Sequence, residues 1–290
     1  MDNTNCEKEP SLSDAERDRL LKELDRDGYI ILPLKLPAWI IEDAANYFDR
    51  YVAERRKTDP RETQFFHYNV VEFDPVFRHL LVFKPAMQLC YDVFGPQFIM
   101  AQDKFEVQYP NPDHPSAGIP WHDDGPQSFP EVEGRHGMHT LRFGYMLSDA
   151  TAADSGSLDV IRGSHKKPSL RARPSLRYDA LPPYRKEDFT RDLVQIRGEI
   201  GTVYAFQNAI WHSAQRNSSK VTRKIAYLQY CNTWMRQMHR ETPSWYDLQS
   251  YTPEQRWLLG EPRPNSSYHH ATESENQRLA RFRRASDCKT

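Results

Sequence analysis

From Phe98 to Tyr109 the chain sets polar and apolar residues in turn, with Lys104, Glu106 and Gln108 alternating against Phe105, Val107 and Tyr109. A period of two marks a strand whose two faces meet different surroundings. Such a strand needs partners, and the sequence offers them. Tyr29–Leu32, Thr140–Leu147, Ser157–Arg162, Gly201–Phe206 and Lys224–Asn232 are further short runs of strand character bounded by turn residues. Several short strands separated by turns predict a sandwich or a jelly-roll barrel.

Ahead of these runs the period changes. Ser13 is placed to cap a helix, and Glu16, three residues later, completes a capping box. Leu20, Leu21 and Leu24 form its apolar stripe, and Asp27-Gly28 ends it. From Pro37 to about Thr58, Ile40, Ile41, Ala44, Ala45, Phe48 and Val52 recur at helical spacing. Asp59 to Asn69 reads as polar and turn-rich, and Pro75 to Phe94 as short helical pieces. The expected architecture is therefore mainly β with flanking helices. A helical part (1–96) packs on the outside of a jelly-roll, cupin-like core (97–235), and a C-terminal tail (236–290) follows with one short helix from Pro253. With no solenoid repeat and no clean linker, 1–290 reads as a single domain. Lys166 to Asp192 has no periodicity and carries many prolines, lysines and arginines, so it reads as a long basic loop.

Composition narrows the function classes. The formal net charge is −1, which argues against generic nucleic-acid binding. The longest apolar runs are too short to cross a bilayer. The acidic, polar start lacks the pattern of a secretory signal. Cys6, Cys90, Cys231 and Cys288 are scattered without a CxxC pair, as expected for reduced thiols in the cytoplasm.

Two stretches carry candidate chemistry. Gly118-Ile-Pro-Trp-His-Asp-Asp-Gly125 supplies His122 and Asp124, and Ile210-Trp-His supplies His212, with Arg223 eleven residues on. Two histidines and a carboxylate suit non-haem iron(II), because they leave one face open for a bidentate co-substrate and oxygen. An arginine suits the far carboxylate of such a co-substrate. Each residue also has a plainer reading. His122 and His212 fit structural histidines, Asp124 a turn residue before Gly125-Pro126, and Arg223 a surface ion pair. Zinc is a rival metal for the same ligands.

In order along the chain, four segments resemble the phytanoyl-CoA dioxygenase family. They are Gly28-Tyr-Ile-Ile-Leu32; Trp121-His-Asp-Asp124; the run Leu147-Ser-Asp-Ala-Thr151, Ser155-Gly-Ser-Leu-Asp-Val-Ile161 and Gly163-Ser-His-Lys166; and Gly201-Thr-Val203 through His212 and Asn217 to Arg223. The resemblance implies a double-stranded β-helix, iron(II) bound by His122, Asp124 and His212, and 2-oxoglutarate held by Arg223 with help from Ser219. Gln108 and Lys104 lie on the strand entering the metal loop, where either can reach the co-substrate. The chain departs from the family at Arg162, where proline is frequent, and at Thr202, where aspartate is. A carboxylate at Asp124 disfavours halogenation, which needs a small residue there to free a site for halide.

The resemblance implies a dioxygenase that uses O2, with ascorbate supporting activity and succinate and CO2 as co-products. The expected substrate is a small molecule of specialised metabolism that becomes hydroxylated. An acyl-CoA 2-hydroxylase and a metal-dependent hydrolase on a jelly-roll are the alternatives. Trp121, Phe129, Tyr145, Trp211, Tyr227 and Trp234 are candidate pocket aromatics. No nucleic-acid or membrane partner is expected.

Overall fold

The structure, a computed structural model, describes residues 10–110, 118–119, 121–124, 138–166, 191–235, 237 and 247–261. Helix α1 (Asp14–Asp27) starts at the expected capping box. The Glu16 amide donates to the Ser13 side chain, and the Ser13 amide donates to the Glu16 side chain. Gly28 ends it at φ +85°, a left-handed turn that a side chain would strain. The chain then enters β1 (Tyr29–Lys35) and α2 (Ala38–Thr58). Helix α2 buries Ile40, Ala44, Phe48 and Val52, one residue per turn on one face. Phe48 alone contributes about 1.5–3 kcal/mol of burial energy.

Strand β2 (Gln64–Tyr68) comes next, then α3 (Val70–Phe73), α4 (Pro75–Leu81) and α5 (Lys84–Phe94). The barrel strands follow: β3 (Phe98–Gln108), β4 (Thr140–Met146), β5 (Leu158–Ile161), β6 (Leu193–Ile196), β7 (Thr202–Gln207), β8 (His212–Ala214) and β9 (Arg223–Asn232). Helix α6 (Pro253–Leu258) closes the described part, behind a second capping box at Thr252.

Six strands form one sheet in the order β1-β7-β4-β9-β3-β2, and three form another in the order β6-β5-β8. All named strand pairs are antiparallel. The two faces of the large sheet differ in chemistry. One face packs Phe105, Val107, Phe143, Tyr145, Leu228 and Tyr230 with Phe48, Phe77 and Leu80 of the helices. The other face looks toward the small sheet, where Tyr204, Phe206, Ile225 and Tyr227 meet Leu158, Val160 and Ile196. The helices thus cover the outside of the sheet, and the site forms on its inside.

Sequence periodicity overlooked three short strands. Strand β2 lies inside the segment expected to be turn-rich. It pairs only with β3, at the edge of the large sheet, and its run Gln-Phe-Phe-His-Tyr has no clean alternation. Strands β6 and β8 have four and three residues, too few to show a period. Most of the basic loop, and the tail beyond 261, lie outside the described residues, as do Cys6, Cys288 and Phe129. Cys90 and Cys231 are free and buried. No helix among the described residues is long and apolar enough to cross a membrane.

Candidate active site

The two histidine stretches meet through backbone pairing. The amide of His122 donates to the carbonyl of His212, and the amide of His212 donates to that of His122, both at 2.9 Å. Ile119 N–H donates to Ala214 O, and Asp124 N–H to Asn208 O. Ile119 and His122 therefore lie alongside β8 at the edge of the small sheet. An isolated bridge joins His122 directly to His212.

This pairing gathers the three side chains. One ligand atom each from His122, Asp124 and His212 lies within 4.8 Å of the others. His122 Nε2 is 3.8 Å from Asp124 Oδ1, and His212 Nε2 is 3.6 Å from Asp124 Oδ2. His212 Nδ1 sits 2.9 Å from the Ile210 carbonyl, which assigns the proton to Nδ1 and leaves the Nε2 lone pair facing Asp124. Burial pushes this imidazole down to about 3, so it is neutral at ordinary pH. Burial would also raise the Asp124 carboxyl, but the charge of Arg142, aided by His212, His122 and Lys104, outweighs it and holds the group well below the usual carboxylate range. A carboxylate and a histidine lone pair facing one another lack hydrogens to share, so the donor set fits a cation between them. Asp123, between the ligands in sequence, is buried and outside this cluster.

Arg223 opens β9 and is 1% exposed. Its Nη1 donates to Glu106 Oε1 and its Nη2 to the Tyr227 hydroxyl, both at 2.9 Å. Tyr227 accepts in turn from the Tyr204 hydroxyl at 3.0 Å. Arg223 Nε has no hydrogen-bond partner among the described residues. Arg223 is thus an interior cation in a built setting, unlike an arginine on the surface. Ser219, expected beside it, spends its hydroxyl within the turn before β9: it donates to Asn217 Oδ1 at 2.8 Å and accepts from Val221 N–H at 3.1 Å. It does not line the cavity described next.

A cavity open to solvent lies between the sheets, with about 290 Å³ of empty space when the solvent at its mouth is included. Its walls include His122, His212, Arg142, Lys104, Glu106 and Tyr227, with Ile119, Leu158, Phe206 and Ala214 as the apolar part. Of the other candidate aromatics, Tyr145 packs instead among the helices, and Trp234 is half exposed.

Arg142 is the residue sequence reasoning passed over. It is the lone charge in a strand of Thr-Leu-Arg-Phe-Gly-Tyr-Met, and that oddity was the available signal. Its Nη1 reaches to 3.0 Å of Asp124 Oδ2, as an ion pair rather than an aligned hydrogen bond. Its Nη2 donates to Gln229 Oε1 at 2.6 Å and Gln102 Oε1 at 3.1 Å. The Gly-Ser-His segment has a different task. Ser164 Oγ accepts from Trp211 N–H at 2.8 Å, fixing the residue before His212. His165 Nε2 lies 2.9 Å from the Asp25 carbonyl at the end of α1.

A donor set of two histidines and a carboxylate inside a double-stranded β-helix is the mark of one class of enzyme, the iron(II)- and 2-oxoglutarate-dependent oxygenases. This chain belongs to the phytanoyl-CoA dioxygenase (PhyH) family, whose model matches residues 24–225, and it is an oxygenase of that class. Similar solved structures include the epimerase SnoN in complex with Fe3+, alpha ketoglutarate and nogalamycin RO. It is 19% identical over 76% of this chain and 85% of that one, with a TM-score of 0.59. HygX from Streptomyces hygroscopicus with nickel and 2-oxoglutarate bound is 16% identical over 83% and 94%, with a TM-score of 0.60. EctD from S. alaskensis with bound Fe is 20% identical over 79% and 82%, with a TM-score of 0.58. At these identities the likeness is one of fold. No curated protein matches the chain.

Proposed function

We propose that His122, Asp124 and His212 hold iron(II), that Arg223 binds the distal carboxylate of 2-oxoglutarate, and that the enzyme hydroxylates a small molecule of specialised metabolism in the cytoplasm. The observation that carries this reading is the meeting of the three ligand atoms within 4.8 Å beside the small sheet, with a buried arginine on β9 of the large sheet. When bound, the iron and 2-oxoglutarate supply oxygen activation, with succinate and CO2 as co-products and ascorbate keeping the metal ferrous.

The chain's own residues orient and exclude. His212 is fixed by Ile210 and offers Nε2 without losing a proton. Asp124 stays ionised beside Arg142. Arg223 is fixed by Glu106 and Tyr227, which leaves Nε as the donor held in place for a carboxylate. In this reading Ser219 serves the co-substrate indirectly, by shaping the turn that delivers Arg223. Phe206, Leu158 and Ile119 supply the apolar part of the wall beside the reacting face. A small-molecule substrate is supported by the fold relatives, among them EctD with 2-oxoglutarate and 5-hydroxyectoine.

The test is succinate release from 2-oxoglutarate with ferrous ion and ascorbate across a metabolite panel. Turnover that needs iron, is abolished in His122→Ala and is weakened in Arg223→Ala is the expected result. Absence of 2-oxoglutarate turnover, with hydrolysis of an ester or amide by the zinc-loaded protein, would transfer the assignment to a metal-dependent hydrolase.

A further inference from the structure

The charges inside the barrel do not cancel. Antiparallel pairing sets directly opposed residues on the same face of a sheet. By that rule Lys104 stands opposite Tyr227 on one side and Tyr68 on the other, and Glu106 stands opposite Ile225 and Phe66. Arg142 is matched by Asp124 at 3.0 Å and Arg223 by Glu106 at 2.9 Å. Lys104 also lines the cavity. Among the described residues its ammonium makes no hydrogen bond or ion pair, and its Nζ lies only over the rings of Tyr227 at 5.3 Å and Phe66 at 5.4 Å.

We propose that Lys104 recognises the substrate, and that the molecule oxidised here carries a carboxylate. This rests on the oxygenase reading above. Lys104 is partly buried, and an ammonium drawn partly out of water with no anion in hydrogen-bonding reach carries a cost that a bound anion relieves. A bound dication and a dianionic co-substrate offset each other, so they leave the extra positive charge of Lys104 unanswered. Its place favours the substrate over the co-substrate. Lys104 lies on β3 beside the edge strand β2, whereas the co-substrate's arginine lies on β9. Phe66 and Tyr68, 38% and 37% exposed, continue the same face outward from it. These rings form an open shelf on which the body of a ligand can lie while its carboxylate meets Lys104. Burial also lowers the Lys104 ammonium from the usual lysine range, with Glu106 pulling the other way, as for a cation short of a partner.

The test uses the full chain loaded with zinc and 2-oxoglutarate, which blocks turnover. Saturation-transfer NMR is run on a panel of aromatic and aliphatic carboxylates, each paired with its primary amide. In parallel, 2-oxoglutarate affinity is titrated by the visible charge-transfer band of the anaerobic iron(II) protein. In the wild type at least one acid is expected to bind about tenfold or more tighter than its amide. Lys104→Met is expected to lose that preference, Lys104→Arg to keep it, and both to bind 2-oxoglutarate as the wild type does. The proposal is overturned if no acid is preferred to its amide, or if the preference survives in Lys104→Met. It is equally overturned if Lys104→Met weakens 2-oxoglutarate about tenfold or more, which would assign the lysine to the co-substrate. Failure of the wild type to bind 2-oxoglutarate at all would instead remove the oxygenase reading.

Discussion

Arg142 Nη1 stands 3.0 Å from Asp124 Oδ2, so a fixed cation already faces the carboxylate of the proposed metal triad. Two glutamines, Gln102 and Gln229, hold the guanidinium in place, and Thr140 Oγ1 accepts from Gln229 at 2.6 Å. The relay comes from strands β3, β4 and β9, and the carboxylate from the loop they face. Arg142 and His212 approach the same oxygen, Oδ2, while His122 lies nearest Oδ1.

Arg142→Met removes that cation and leaves a largely buried carboxylate without a partner. The metal-free protein is expected to lose roughly 2–4 kcal/mol of unfolding free energy. Zinc replaces the missing charge, so the zinc-loaded variant loses less. Urea unfolding with and without zinc measures both, and an equal loss in the two states would show that Arg142 acts only through packing.

Glu106→Gln acts on the other pair. Arg223 keeps its Tyr227 contact but loses its buried counter-charge. The variant is expected to be less stable by roughly 3–5 kcal/mol, and 2-oxoglutarate is expected to restore part of this through binding linkage. Thermal unfolding across a 2-oxoglutarate series checks the recovery, which Glu106→Gln should show more strongly than the wild type.

Gly144 sits where a Cβ would come within 2.3 Å of the Tyr204 ring. That space lets Tyr204, which is fully buried, lie across β4 and reach Tyr227. Gly144→Ala is expected to push the ring away, costing about 1–3 kcal/mol by overpacking. Because Tyr227 supports Arg223, 2-oxoglutarate binding should weaken while zinc affinity stays near wild type. Calorimetric titration of each ligand separates the two effects.

Burial lowers both His165 and His212, the latter to about 3. The unfolded chain protonates these histidines near the ordinary value of about 6.5, while the folded chain resists. The unfolded state then binds more protons, so metal-free stability falls as the pH drops below about 6.5, by at most about 1.4 kcal/mol per pH unit for each histidine. Unfolding measured from neutral pH to about pH 5 should show the decline, and His165→Asn should show a shallower one.

The sequence by itself determined the class of fold and singled out the three residues proposed as metal ligands. Alternation in Lys104–Tyr109, the stripe of α2 and the Ser13–Glu16 capping box are local rules of backbone geometry, and the structure obeys each of them. His122, Asp124 and His212 stood out as a candidate donor set within segments that resemble one family in order along the chain, and the structure brings the three together. Tertiary structure alone decided which cation faces which anion. Glu106 meets Arg223 through the register of β3 against β9, and Arg142 on β4 meets Asp124 on a loop anchored to Asn208, relationships that no short window of sequence records. It also decided that the Ser219 hydroxyl turns to Asn217, and that Lys104 makes no hydrogen bond or ion pair among the described residues. A charged side chain's role follows from its neighbours at contact distance, and in a barrel of crossing strands those neighbours come from far along the chain.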